Sequence, residues 1–115
     1  MSLALFMDVH VPSAITQGLR ARRVTVVIAQ EDRSERLPDP ALLDRATALG
    51  HALFTQDHDL LAEAARRQRA AEAFADVIYA AQTRVSIGRC IADLEVLAKV
   101  LDPPDMLNRV EYLPL

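Results

Sequence analysis

Asp8, Asp39, Asp57 and Asp59 each stand where an apolar run or a proline turn gives way to a helical segment. In a parallel α/β fold that is where the chemistry collects. Carboxylates brought together without a cation repel one another and raise each other's pKa. If these four meet in space, they imply a hard divalent cation, Mg²⁺ or Mn²⁺, bound through oxygen with several waters retained. The competing reading is structural. Asp39 before Pro40 is a helix N-cap signal, and Asp57 or Asp59 fits the cap of the next helix. Asp8 escapes that reading, because Pro12, where the first helix can start, lies four residues further on.

The segments around these residues predict the elements that position them. Leu3 to Met7 is a continuous apolar run that reads as a buried strand delivering Asp8 at its C-terminal end. Ile15 and Leu19 recur at helical spacing after Pro12, with Gly18 a weak point and Arg20 to Arg23 closing the segment. Val24 to Ala29 is a second strand, and the polar stretch from Gln30 to Pro38 is a loop. Asp39 and Pro40 open a helix with a stripe of Leu42, Leu43, Ala46 and Leu49, ended by Gly50. His51 to Thr55 is a third strand, and Leu60, Leu61, Ala64 and Ala65 mark the helix that follows Asp59. Ala75 to Ala80 is a fourth strand. Ser86 opens the longest helix, whose stripe runs from Ile87 through Cys90, Leu94 and Leu97 to Leu101 and stops before Pro103-Pro104. Val110 to Leu113 is a short last strand.

The predicted order is therefore β-α-β-α-β-α-β-α-β in one mainly parallel sheet with right-handed crossovers. Loops after strand C-termini share one edge, so Asp8 and Asp57 to Asp59 face a common cleft that Asp39 can reach. Residues 1–115 make a single domain.

Composition narrows the function classes. There is no Trp, with two Tyr and three Phe, which leaves few rings for stacking nucleobases and argues against a base-reading surface. The net charge of −3 argues against coating duplex nucleic acid through the overall field. Twelve of the thirteen basic residues are Arg, grouped as Arg20, Arg22, Arg23 and as Arg66, Arg67, Arg69, which are either local positive patches or solvated helix faces. One cysteine, Cys90, excludes an intrachain disulfide or a cysteine-based zinc site, and on its apolar stripe it reads as core. The apolar stretch Leu3 to Met7 has no basic region before it and is far too short for a signal peptide or membrane span, so a cytoplasmic protein is expected.

Several segments, in order, carry a family resemblance: Asp8-Val-His10-Val-Pro12, Asp39-Pro-Ala-Leu42 with Ala46, Thr55-Gln-Asp57-His-Asp59-Leu, and Ser86-Ile-Gly after a strand. Together they resemble the PIN-like domain in its short stand-alone bacterial form, similar to toxin ribonucleases of toxin–antitoxin pairs. The resemblance implies a three-layer α/β/α sandwich with three or four acidic residues around one or two Mg²⁺ or Mn²⁺ ions. By it, Asp8 matches the acid after the first strand, Asp39 the acid opening the second helix, and Asp57 with Asp59 the pair after the third strand. Asp8 and Asp57 are the first-choice ligands. Asp39 and Asp59 would bind through water, orient the attacking water or complete a second ion site. His10 and Thr55 are candidates for a supporting layer around these acids. The resemblance further implies RNA as substrate, an antitoxin protein as partner, and allows a homodimer. Where this branch usually carries Asp-Glu-Asn-x-Pro the chain has Val9 and His10, and Leu60 stands where an aromatic commonly follows the last Asp.

Those departures sustain an alternative, a catalytically weak or inactive PIN-like module that binds RNA or a protein partner. A third reading is a phosphorylatable receiver domain of similar length and topology. That chemistry uses a lysine after a late strand, whereas the one lysine here, Lys99, lies inside the long helix. His58-Asp59 also resembles the metal-binding pair of HD-type phosphohydrolases, an all-helical fold that the strands exclude.

Overall fold

The computed structural model describes residues 3–102 and 107–115. Strands β1 (Leu5–Met7), β2 (Val26–Ile28), β3 (Ala52–Thr55), β4 (Val77–Tyr79) and β5 (Val110–Tyr112) alternate with helices α1 (Ser13–Ala21), α2 (Asp39–Leu49), α3 (His58–Ala70) and α4 (Ile87–Val100). All strand pairings are parallel, in the order β2-β1-β3-β4-β5. Helices cover both faces, giving a three-layer α/β/α sandwich, as the apolar runs buried on both sides require. Every predicted strand and helix is present. The Pro103-Pro104 stop signal lies outside the described residues.

Side-chain alternation along the strands divides the core in two. Leu5, Met7, Phe54 and Ile78 point to the face covered by α1 and α4, where Ile15, Leu19, Cys90 and Leu94 are buried. Phe6, Leu53 and Val77 point to the other face, against Leu42, Leu43, Ala46, Leu60 and Ala64 of α2 and α3. Ile87, expected in the α4 stripe, is 45% exposed because it sits in the first turn, before the helix meets the core.

The predicted weakness at Gly18 is instead a close approach. A Cβ there would stand 2.5 Å from Ile91 Cδ1 and 3.1 Å from its Cγ1, so the missing side chain is what lets α1 lie against α4. Gly18→Ala should gain helix propensity but overpack this contact, for a net loss of about 1–2 kcal/mol in urea unfolding. Adding Ile91→Val should recover most of that loss, a coupling that a double-mutant cycle reads directly.

Asp76, just before β4, is 0% exposed, and among the described residues neither carboxylate oxygen has a hydrogen-bond partner. The neighbouring Val77 N–H is committed to the Arg109 carbonyl at 3.1 Å. Burial, reinforced by Glu111 and opposed by Arg109, pushes the Asp76 carboxyl up to about 8. An unfolded Asp titrates near ~3.9. Between those values the folded chain holds a proton that the unfolded chain has released, so this group makes stability fall as pH rises from about 4 through about 8. Asp76→Asn cannot ionise. Melting curves at pH 5 and pH 9 should show a smaller alkaline loss for the variant than for the wild type.

Candidate functional site

The order β2-β1-β3 creates a switch point, since the chain leaves β1 in one direction and returns to place β3 on its other side. Level register, with Met7 opposite Phe54, brings the residues that follow β1 and β3 side by side. Asp8 and Thr55 share the α2/α3 side of the sheet with Phe6 and Leu53. Thr55, fully buried, donates to Asp8 Oδ2 at 2.7 Å and accepts from the Asp57 N–H at 2.9 Å, so one hydroxyl joins the two loops. Asp8 Oδ1 accepts from the Val9 N–H at 2.7 Å, which leaves both its oxygens engaged.

Asp39, Asp57 and Asp59 each place a carboxylate oxygen within 4.8 Å of the others. Asp57 is the N-cap of α3, its Oδ1 accepting from the Asp59 N–H at 2.9 Å, so the cap reading holds for this residue. It fails for Asp39. The extended backbone of Pro38 takes the cap position of α2, Asp39 is already helical, and no side-chain cap bond forms. The carboxylates of Asp39 and Asp59 accept no hydrogen bond among the described residues. Two helix N-termini converge here, and their unpaired N–H groups favour negative charge. Even so, the Asp39 carboxyl is raised above the usual range, first by burial and then by the charges of Asp57, Asp8, Asp59 and Glu63. Asp8 is thus electrically part of the group, although it is not one of the three acids that close on a common point.

Arg67 fixes the spacing between the helices. Its buried guanidinium donates to Glu63 at 2.8 Å within α3, and to Asp44 at 2.7 Å and the Pro40 carbonyl at 2.8 Å in α2. Sequence reasoning offered Arg66, Arg67 and Arg69 only as a patch or a solvated face. Arg67 is neither, and its three-residue offset from the apolar Ala64 was the available signal that it turns inward. Arg66 and Arg67 together hold the Glu63 carboxyl down to about 2. The first basic cluster is also largely spent internally, Arg20 on Glu31 and Arg22 on Glu95. The loop leading to Asp39 is held by the bidentate pair of Arg45 with Asp32, both bonds 2.8 Å.

His10 is exposed and lines a hollow of about 100 Å³ with Asp8, Val11, Gln56, Asp57 and Gln82, set between the loops that follow β1, β3 and β4. A second hollow of about 180 Å³ lies on the other side of Asp8, bounded by Val11, Thr16, Arg20 and Gln30. Gln56 and Gln82 were not anticipated, since nothing local marks either as part of a site.

The donor set suits a hard cation. It is all carboxylate oxygen, offers no nitrogen or sulfur, and supplies three ligands while leaving room for water, as Mg²⁺ and Mn²⁺ prefer. Comparison of the chain with family models, with curated proteins and with solved structures returns no match. Among the described residues, no helix is long and apolar enough to cross a membrane.

A raised folded-state pKa means that stability is lost as pH rises through it, so at neutral pH the charged Asp39 opposes folding. Asp39→Asn should therefore raise the melting temperature in EDTA by a few degrees. Added Mn²⁺ should stabilise the wild type more than the variant, because only the wild type keeps all three carboxylates. A lower melting point for the variant in EDTA, with no Mn²⁺ effect on either protein, would make Asp39 structural.

Proposed function

We propose that this chain is a metal-dependent ribonuclease of the PIN-like kind, acting in the cytoplasm as the toxin of a toxin–antitoxin pair. The observation that supports the reading best is the convergence of Asp39, Asp57 and Asp59 within 4.8 Å at the switch-point edge. Bound there, Mg²⁺ or Mn²⁺ would supply Lewis acidity and a water acidic enough to act near neutral pH. The protein's part is placement. Asp39, Asp57 and Asp59 would hold the cation, and Asp8, fixed by Thr55, adds negative charge behind them. His10, Gln56 and Gln82 offer polar groups for the sugar and phosphate oxygens of a strand in the adjoining hollow. Hydrolysis by an activated water requires no protein nucleophile.

The strand order is shared with flavodoxin-like and receiver folds, so topology does not choose among them and the site must. Against phosphoryl transfer to an Asp, Lys99 lies in the last turn of α4 and pairs with Glu95 at 2.6 Å. The second reading, a PIN-like module that binds RNA or a protein partner without cleaving, draws support from Asp8, whose two oxygens are both taken by protein donors. An antitoxin partner and pairing of two copies follow only from the family resemblance.

The deciding experiment is cleavage of an end-labelled single-stranded RNA by the purified protein in Mn²⁺, Mg²⁺ or EDTA, beside Asp39→Asn and Asp57→Asn. Asn keeps the α3 cap at position 57, so loss of activity there reports on the lost charge. Metal-dependent cleavage that drops at least a hundredfold in both variants is expected. Metal-induced stabilisation without cleavage would favour the binding module, and cleavage that persists in EDTA would end the metal reading.

A further inference from the structure

The chain has few aromatic residues, yet the fold lines both tyrosines up in a row that starts at the acidic cluster. His58 lies between Asp57 and Asp59 at the start of α3, and its ring meets Tyr79 edge to face, centroids 5.9 Å apart and planes at 86°. Tyr79, the last residue of β4, meets Tyr112, the last of β5, at 6.2 Å and 76°. The row thus begins inside the carboxylate motif and runs outward along the C-terminal edge of β3, β4 and β5. Phe6, Phe54 and Phe74 are all fully buried, so the core does not need the tyrosines, and Tyr112 is 56% exposed. Neither tyrosine hydroxyl makes a hydrogen bond within the described residues. The loop between β4 and α4 adds Arg84, exposed and without an ion-pair partner among the described residues, on the same edge. By contrast, Arg20, Arg22, Arg66 and Arg67 are all neutralised by carboxylates.

We infer that the His58–Tyr79–Tyr112 row is a stacking subsite for the unpaired bases of a single-stranded RNA whose backbone crosses the Asp39–Asp57–Asp59 cluster. The inference rests on the nuclease reading for why a strand lies there, and adds how it is held. Aromatic rings and an arginine on one edge supply the stacking and phosphate contact that sequence-tolerant single-strand binding combines. Duplex RNA keeps its bases stacked internally and offers none to the row. The subsite therefore selects unpaired RNA and tolerates most base identities.

The chain contains no Trp and both its tyrosines are in the row, so tyrosine fluorescence reports on this surface alone. Wild type would be titrated in EDTA, to suppress cleavage, with a mixed-sequence single-stranded RNA and with a hairpin duplex. Tyrosine emission would be followed alongside the anisotropy of the labelled RNA. Single strands should quench the emission and the duplex should not. Tyr112→Leu should weaken single-strand binding about fivefold or more, while Tyr112→Phe keeps it. Circular dichroism of both variants would establish that the exposed edge position tolerates the change. RNA that binds without quenching, equal affinity of a folded Tyr112→Leu, or no binding at all would overturn the subsite. Quenching in a protein that never cleaves would leave the row standing and sink the nuclease reading, and metal-dependent cleavage without quenching would do the reverse.

Discussion

Arg67 is the tie on which the site's geometry depends. The carboxylates of Asp39 and of Asp57 with Asp59 sit on different helices and repel one another, so they stay close only if α2 and α3 are held together against that repulsion. The buried guanidinium does this by bonding Glu63 in its own helix and both Asp44 and the Pro40 carbonyl in the other. Bonds of this kind are roughly twice as strong as neutral ones and fixed in direction by the planar fork. Lysine at this position would offer a point charge without the fork. The hydrophobic contact of α2 with α3 supplies most of the adhesion, while Arg67 sets which residues of the two helix starts face each other.

A second constraint comes from the sheet. Parallel pairing puts every strand-to-helix loop on one edge, so residues distant in sequence become neighbours there. Asp8 and Thr55 meet in this way, as do His58, Tyr79 and Tyr112. Helix N-termini face the acidic group and favour its negative charge, yet the Asp39 carboxyl is still raised, first by burial and then by the neighbouring carboxylates.

Much of this was legible in the sequence. Continuous apolar runs gave the strands, Gly50 marked the end of α2 and adopts the left-handed conformation expected there, and Ser86 caps α4 through the Arg89 N–H. Topology put Asp8 and Asp57 to Asp59 at a cleft within reach of Asp39, but the three acids that close on one point are Asp39, Asp57 and Asp59, without Asp8. Less visible was anything that depends on a partner far along the chain. Arg67 sits in a polar run and looks solvated until α2 is placed beside it. Asp39 looks like a cap because Pro40 follows, but Pro38 already supplies the extended turn, which moves the boundary by one residue. Gly18 reads as a helix defect until Ile91 is seen against it. The tyrosine row needs the register of β4 with β5, which no local pattern encodes.

The interior place of β1, between β2 and β3, shapes how the molecule is made. Its residues precede those of the other four strands, yet one of its two neighbours is β3, 47 residues later for the pair Leu5 and Ala52. At ordinary synthesis rates that separation corresponds to roughly two to ten seconds, during which β1 can pair with β2 alone and one edge stays open. The Asp8–Thr55 bond, and with it the alignment of the β1 and β3 loops, cannot exist before that interval has passed. A prematurely terminated chain that stops short of Asp57 therefore has neither the full sheet nor an assembled acidic cluster.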